Sequence, residues 1–334
     1  MNIKSLGISL AVISFLSMSF VGCGEEDSKE LPVISNVSYQ TESLDTQSNI
    51  ALIHVTTVID KKNSSSIYDN GISLDFISGD GEDGYVNLSA GRHTLKVCAT
   101  NNNGQVCSDE KFYFVSANIA LSNYETYKME DASASNGITN NGTDLIYGTI
   151  DGKIYKLKLD SKSSTQITNV AEKVSGLGFV NDDTYYYSSL SSDTINKLVV
   201  STNTVENLTS TSHPDGLDFY KNRIYTVTSN ESGILTIFNI DGEQYNTLDT
   251  RIDDIVGISH TDNYLYILSE NGLVYQTNPT TGESNKIFTN KNLFNSHSGE
   301  NGLEAITVLN NYIYVSYVND NTIYKINLDL SKYE

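Results

Sequence analysis

Asp215-Gly216-Leu217-Asp218-Phe219-Tyr220-Lys221-Asn222-Arg223-Ile224-Tyr225 decides the fold of the larger part of this chain. A glycine-aliphatic step opens a strand-like run, and a tyrosine nine residues later marks a second one. The step returns at Asn136-Gly137-Ile138, Ser175-Gly176-Leu177 and Val256-Gly257-Ile258, and, with alanine for glycine, at Glu304-Ala305-Ile306. Successive copies lie 39, 40, 41 and 48 residues apart, and each is followed nine or ten residues on by Tyr147, Tyr186, Tyr225, Tyr266 or Tyr314. A third run is centred on Ile154, Ile195, Leu235, Val274 or Ile323, and four copies continue into a fourth, at residues 166–170, 205–208, 244–248 and 285–288.

Four short strands repeating at about 40 residues predict a β-propeller, because a lone four-stranded unit leaves both sheet faces exposed and must pack into a ring. The fifth copy runs out of chain before a fourth strand. Residues 119–128, ahead of the first copy, can supply it and close the ring. This predicts five blades over 118–334, with six as the alternative if residues 290–302 hold weak strands. The repeats resemble NHL-type and gluconolactonase-like propellers, which share the glycine-aliphatic inner strand.

Ahead of the repeats, residues 31–116 alternate short β-runs with turns: 33–39, 50–59, 72–77, 84–88, 93–100 and 105–115. This predicts an antiparallel sandwich. Cys98 and Cys107 flank Asn101-Asn102-Asn103-Gly104. If Asn102-Asn103 form the turn, Cys98 faces Cys107 at a non-hydrogen-bonded site, where strands approach most closely. If Asn103-Gly104 form it, Cys98 faces Asp109. An exported chain favours the first register and a structural disulfide. The stretch Leu88-Ser89-Ala90-Gly91-Arg92-His93-Thr94-Leu95-Lys96-Val97 with that turn resembles the last hairpin of bacterial Ig-like and PKD-like domains. The chain is thus expected to be all-β, an N-terminal Ig-like sandwich followed by a propeller.

Export is read from the N-terminus. Lys4 precedes an uncharged, mostly apolar run from Leu6 to Val21, the layout of a secretory signal. Phe20-Val21-Gly22-Cys23 resembles a lipoprotein lipobox, with Phe20 in place of the usual leucine. The resemblance implies cleavage after residue 22 and a lipid, palmitate-type anchor on Cys23. Residues 23–30 then form an acidic tether. In a Gram-negative host Gly24 carries no inner-membrane retention signal, so the lipoprotein resemblance implies the outer membrane, periplasmic or surface-exposed. The acidic run after Cys23 is also similar to some surface-export signals.

The chain's net charge of −20 makes nucleic acid and anionic lipid surfaces poor partners. The chemistry-bearing motifs are few. No Gly-x-Ser-x-Gly, His-Glu-x-x-His or glycine-rich phosphate loop occurs, and the five histidines are scattered. The acidic loop Gly79-Asp80-Gly81-Glu82-Asp83-Gly84 lacks the ligand order of a calcium loop and reads as a solvated turn. The tyrosine-rich second strands read as blade packing rather than a carbohydrate-stacking surface.

The residue before each inner-strand glycine should sit at the channel mouth: Asn136, Ser175, Asp215, Val256 and Glu304. Asn136, Asp215 and Glu304 supply oxygen ligands for a hard divalent cation such as Ca²⁺. Gluconolactonase-like enzymes are similar in using a Glu, an Asn and an Asp for their metal. His213, His297 and Glu300 are expected near the same mouth. Two functions follow. One is a membrane-anchored binding or scaffold module whose propeller engages a protein, glycan or small molecule without catalysis. The other is a metal-dependent hydrolase or lactonase.

Overall fold

The computed structural model describes residues 30–45, 48–118, 124–130, 135–228, 233–289, 303–317 and 321–334. Cys23, His297 and Glu300 lie outside these residues, as do the leader, most of the acidic tether and the 290–302 segment. Among the described residues no helix is long and apolar enough to cross a membrane. The chain is built of β-strands, with one short 3₁₀ turn at Leu330–Lys332.

Residues 33–115 form two packed sheets. One runs in the order Val33–Asp45, Ile50–Asp60, Asp83–Ser89, Ser78–Gly79. The other runs Ile72–Leu74, Ser64–Asp69, Gly91–Asn101, with Gly104–Cys107 and Lys111–Val115 sharing the far edge of Gly91–Asn101. Alternation drives the packing: Ala51, Ile53 and Val55 point inward from one strand, Leu95, Val97 and Ala99 from its opposite number. Three details depart from expectation. Ser64–Asp69 is a strand although it begins with three serines, because Ile67 is buried between the sheets. The expected 72–77 strand stops at Leu74, and 105–115 is broken at residues 108–110 into two edge strands. The acidic loop is occupied by Lys62, whose Nζ meets Asp80 Oδ2 at 2.8 Å and Glu82 Oε2 at 2.7 Å. The Lys62 bond holds the Asp80 carboxyl below the usual aspartate range.

Cys98 faces Cys107 and Asn101 faces Gly104, the register with Asn102-Asn103 at the turn, and the two cysteines are bridged. Asn101 Oδ1 accepts from the Asn103 backbone at 2.8 Å and so shapes the turn. Closing a loop this short removes limited unfolded-chain entropy. A Cys98→Ala/Cys107→Ala chain should lose about 2–3 kcal/mol of sandwich stability, read as a lower urea midpoint.

Among the described residues from 124 onward, five sheets follow one another, each with four antiparallel strands. Their inner strands are Ser135–Asn140, Gly176–Asn181, Pro214–Tyr220, Ile255–His260 and Leu303–Leu309. Each inner strand touches the next, and the fifth touches the first, so the arrangement is a closed, propeller-like ring. Tyr124–Lys128 is the outer strand of the fifth sheet, pairing with Thr322–Ile326. A strand from ahead of the first sheet thus locks the last. The linker joins in as well: Ala117–Asn118 pairs in parallel with Ser284–Thr289, and Ser116 Oγ donates to the Lys286 carbonyl at 2.8 Å. The repeat tyrosines 147, 186, 225, 266 and 314 are all buried, which makes them packing between sheets.

The carboxyl-terminal residues tie the two parts together. Leu330 and Tyr333 are fully buried in the core shared by the fourth and fifth sheets. The Lys332 carbonyl packs against Gly91 of the sandwich. Glu334 accepts from Thr261 Oγ1 at 3.0 Å, in the turn where the fourth inner strand ends.

Candidate functional site

The ring axis is made by backbone. A Cβ on Gly176 would stand 2.3 Å from Leu217 N, and one on Gly216 would stand 2.9 Å from the Gly257 Cα. Glycine at these positions lets neighbouring inner strands meet. The opening they leave is only about 10 Å³, lined by Gly137, Gly176, Gly216, Gly257 and Ala305 among others. The axis is therefore pinched shut, and a ligand would have to seat at one end of it.

Register shifts shape the upstream end. In four inner strands the pairing slips at the glycine step: between Ser135 and Gly137, Pro214 and Leu217, Ile255 and Gly257, and Leu303 and Ala305. Asn136, Val256 and Glu304 are the extra residues of these bulges, and Asp215 lies inside the fourth. A bulge bends the strand and re-aims a side chain that regular alternation would direct elsewhere. The pre-glycine positions are thus distinctive for a backbone reason that residue spacing alone does not express.

Their side chains diverge. Ser175 is fully buried, and its Oγ accepts from the Leu190 backbone at 3.1 Å. Val256 packs against the core of the fourth and fifth sheets. The Asn136 side chain lies outside what is described. His213 is exposed, in a left-handed conformation with φ of 48°, and its backbone N–H donates to Asp193 Oδ1 at 3.1 Å.

Asp215 and Glu304 remain, and the charge of Glu304 acts on Asp215. Asp215 Oδ1 is buried and has no hydrogen-bond partner among the described residues. Burial first, then the Glu304 charge and a smaller push from Glu270, against the opposing pull of Lys173, leave the Asp215 carboxyl raised to about 7. Sequence reasoning missed Lys173, in the link from the first sheet to the second, and Glu270, in a turn of the fourth sheet; neither carries a motif. Asp215 therefore feels two other carboxylates and one lysine, and its Oδ1 is unpaired among the described residues. Among the described residues no three His, Cys, Asp or Glu side chains lie close enough together to hold a metal ion. The chemistry this arrangement offers is attraction of positive charge.

No family model matches the chain. No curated protein matches it. Solved structures do. The glutaminyl cyclase of Myxococcus xanthus is similar with a TM-score of 0.51 and 14% identity, over 61% of this chain and 94% of that one. A nidogen/laminin complex gives 0.44 and 13%, over 80% and 91%. An auxiliary nutrient binding protein of Bacteroides thetaiotaomicron gives 0.39 and 12%, over 91% and 99%. The first of these likenesses agrees with the propeller-like ring and, at that identity, speaks to fold alone.

Proposed function

We propose that this chain is a lipid-anchored binding protein whose mouth, around Asp215, takes the positively charged group of a ligand. In this reading Cys23 carries the lipid, an Ig-like sandwich acts as spacer, and a five-bladed ring of NHL type presents the site. The ligand belongs to a small molecule, glycan or protein bearing an ammonium or guanidinium. The supporting observation is the buried Asp215 Oδ1, unpaired among the described residues, whose carboxyl feels the charge of Glu304. Burying an unpaired polar atom costs on the order of 1–3 kcal/mol, so a fold that retains one has a partner to offer it.

The same charge would suit a hard divalent cation held by Asp215, Glu304 and Asn136, and that form leads to the metal-dependent hydrolase. Calorimetric titration with 1,5-diaminopentane, CaCl₂ and ZnCl₂ separates the two. Heat with the diamine alone supports the binding protein; heat with a metal alone supports the hydrolase form. Silence from all three overturns the cation site.

The anchor is tested separately. In a Gram-negative host the wild type should sediment with membranes, and a Cys23→Ser chain should be found in the soluble fraction. Equal partition of the two removes the anchor from the reading.

A further inference from the structure

At the other end of the ring axis the inner strands finish in a second cavity, of about 210 Å³. Thr139, Asn140, Asn141, Phe179, Phe219 and His260 are among the residues that line it. His260, the last residue of the fourth inner strand, meets Asp218 of the third through Nδ1···Oδ2 at 2.6 Å. The remaining Asp218 oxygen accepts from the Phe219 backbone at 2.9 Å. The imidazole also packs on Tyr220, with centroids 4.7 Å apart. Among the described residues Nε2 has no hydrogen-bond partner, and the side chain is 36% exposed. Asp218 thus fixes the ring through one nitrogen and leaves the other for a ligand.

The polar atoms around this cavity are unevenly committed. Both Asp218 oxygens are used. Asn140 Oδ1 accepts from Gly142 N, while its Nδ2 donates to Thr307 Oγ1 and the Val308 carbonyl. Asn141 Oδ1 accepts from Thr143 N and Asp144 N, which leaves its Nδ2 as a donor. Ser259 Oγ accepts from Val308 N, so its hydroxyl proton is available too. The side-chain acceptors of Asp218, Asn140 and Asn141 are engaged internally while donors of Asn141 and Ser259 are left over, beside the half-buried rings of Phe179 and Phe219. The volume is below the roughly 300–1,000 Å³ of drug-sized pockets, so the occupant is small.

We propose that this cavity is a second ligand site, which binds a small carboxylate with an apolar body, its oxygens on His260 Nε2 and its body between Phe179 and Phe219. It is independent of the mouth around Asp215, which lies at the opposite end of the axis and has the opposite charge preference. Burial opposes protonation of His260, but the Asp218 charge and hydrogen bond outweigh it and Asp262 adds to them. Lys221 opposes, and the net result is a raised pKa. The charged groups facing the imidazole are Asp218 and Lys221 from the third sheet and Asp262 from its own turn. Glu334 reaches the adjoining Thr261. With His260 protonated its charge is balanced by Asp218, and one N–H points outward. Carboxylate binding is then full at acidic pH and lost as pH rises through the His260 pKa.

The test is titration of the full chain with sodium benzoate, followed by the imidazole ¹⁵N signals and by calorimetry, with benzamide as the uncharged counterpart. Benzoate is expected to shift the His260 Nε2 signal at pH 6 and to bind more weakly at pH 8.5. His260→Gln should weaken it by about ten-fold or more, the worth of one charge-assisted hydrogen bond. Phe179→Ala should weaken it as well, and Asp215→Asn should leave it unchanged. An Nε2 signal that benzoate does not move overturns the proposal, and that reading needs no variant to fold. Equal affinity for benzamide, or for the His260→Gln chain, overturns it too.

Discussion

Gly176→Val should cost the ring more than about 3 kcal/mol and lower its melting temperature by many degrees. Glycine in a strand ordinarily signals a weak point, yet here its missing side chain is the space that the next sheet occupies. A Cβ at position 176 would lie 2.3 Å from Leu217 N and 2.6 Å from the Asp215 carbonyl. Both are backbone atoms, so no rotamer change relieves the clash. The second and third sheets would have to separate, and a closed ring transmits that displacement to every neighbour. Gly142→Ala is the control. Gly142 has φ of 87° but nothing within 4 Å, so it should lose only about 1 kcal/mol through backbone strain. Scanning calorimetry of the two variants separates close approach from conformational freedom. Similar losses would mean that the axis has room to spread.

Asp215→Asn should have the opposite sign. The carboxyl titrates near 7 in the folded chain because burial disfavours its charge, with Glu304 adding to the effect. An unfolded aspartate titrates near 3.9. The folded state therefore binds the proton more tightly than the unfolded one. Its stabilising contribution is complete below the unfolded pKa, declines as pH rises toward the folded one, and is gone above about 7. Asparagine keeps the shape and never ionises. The variant should match the wild type near pH 4 and exceed it by about 2–4 kcal/mol at pH 8. Urea unfolding across that interval checks both the size and the direction. A variant less stable than the wild type at pH 8 would mean that the carboxylate already has a partner within the fold.

The ring was legible in the sequence because its physics repeats. A glycine that admits the next backbone and a tyrosine that fills between sheets must recur at each blade, and the spare strand before the first copy had one vacancy to fill. The disulfide register was legible because only one pairing places Cys98 opposite Cys107. Ser64–Asp69 was not legible, since a single inward isoleucine among serines leaves no alternation to detect. The mouth was half legible. Asp215 and Glu304 share a position in the repeat, whereas Lys173 and Glu270 act from a link and a turn whose composition says only that they are exposed. His260 and Asp218 were invisible for a related reason. They lie 42 residues apart in adjacent sheets and occupy different positions of their repeats, so only the closed ring puts them in contact.

The stability difference at pH 8 also provides the most direct measurement of the central claim, that the mouth holds a positive charge against Asp215. Melting of the wild type and of Asp215→Asn is followed at pH 8 and low salt as 1,5-diaminopentane, CaCl₂ or ZnCl₂ is added. At least one cation should raise the wild-type midpoint with concentration, narrowing its gap to the variant, while the variant stays where it was. Equal shifts in the two chains, or a wild type that no cation stabilises, would contradict it.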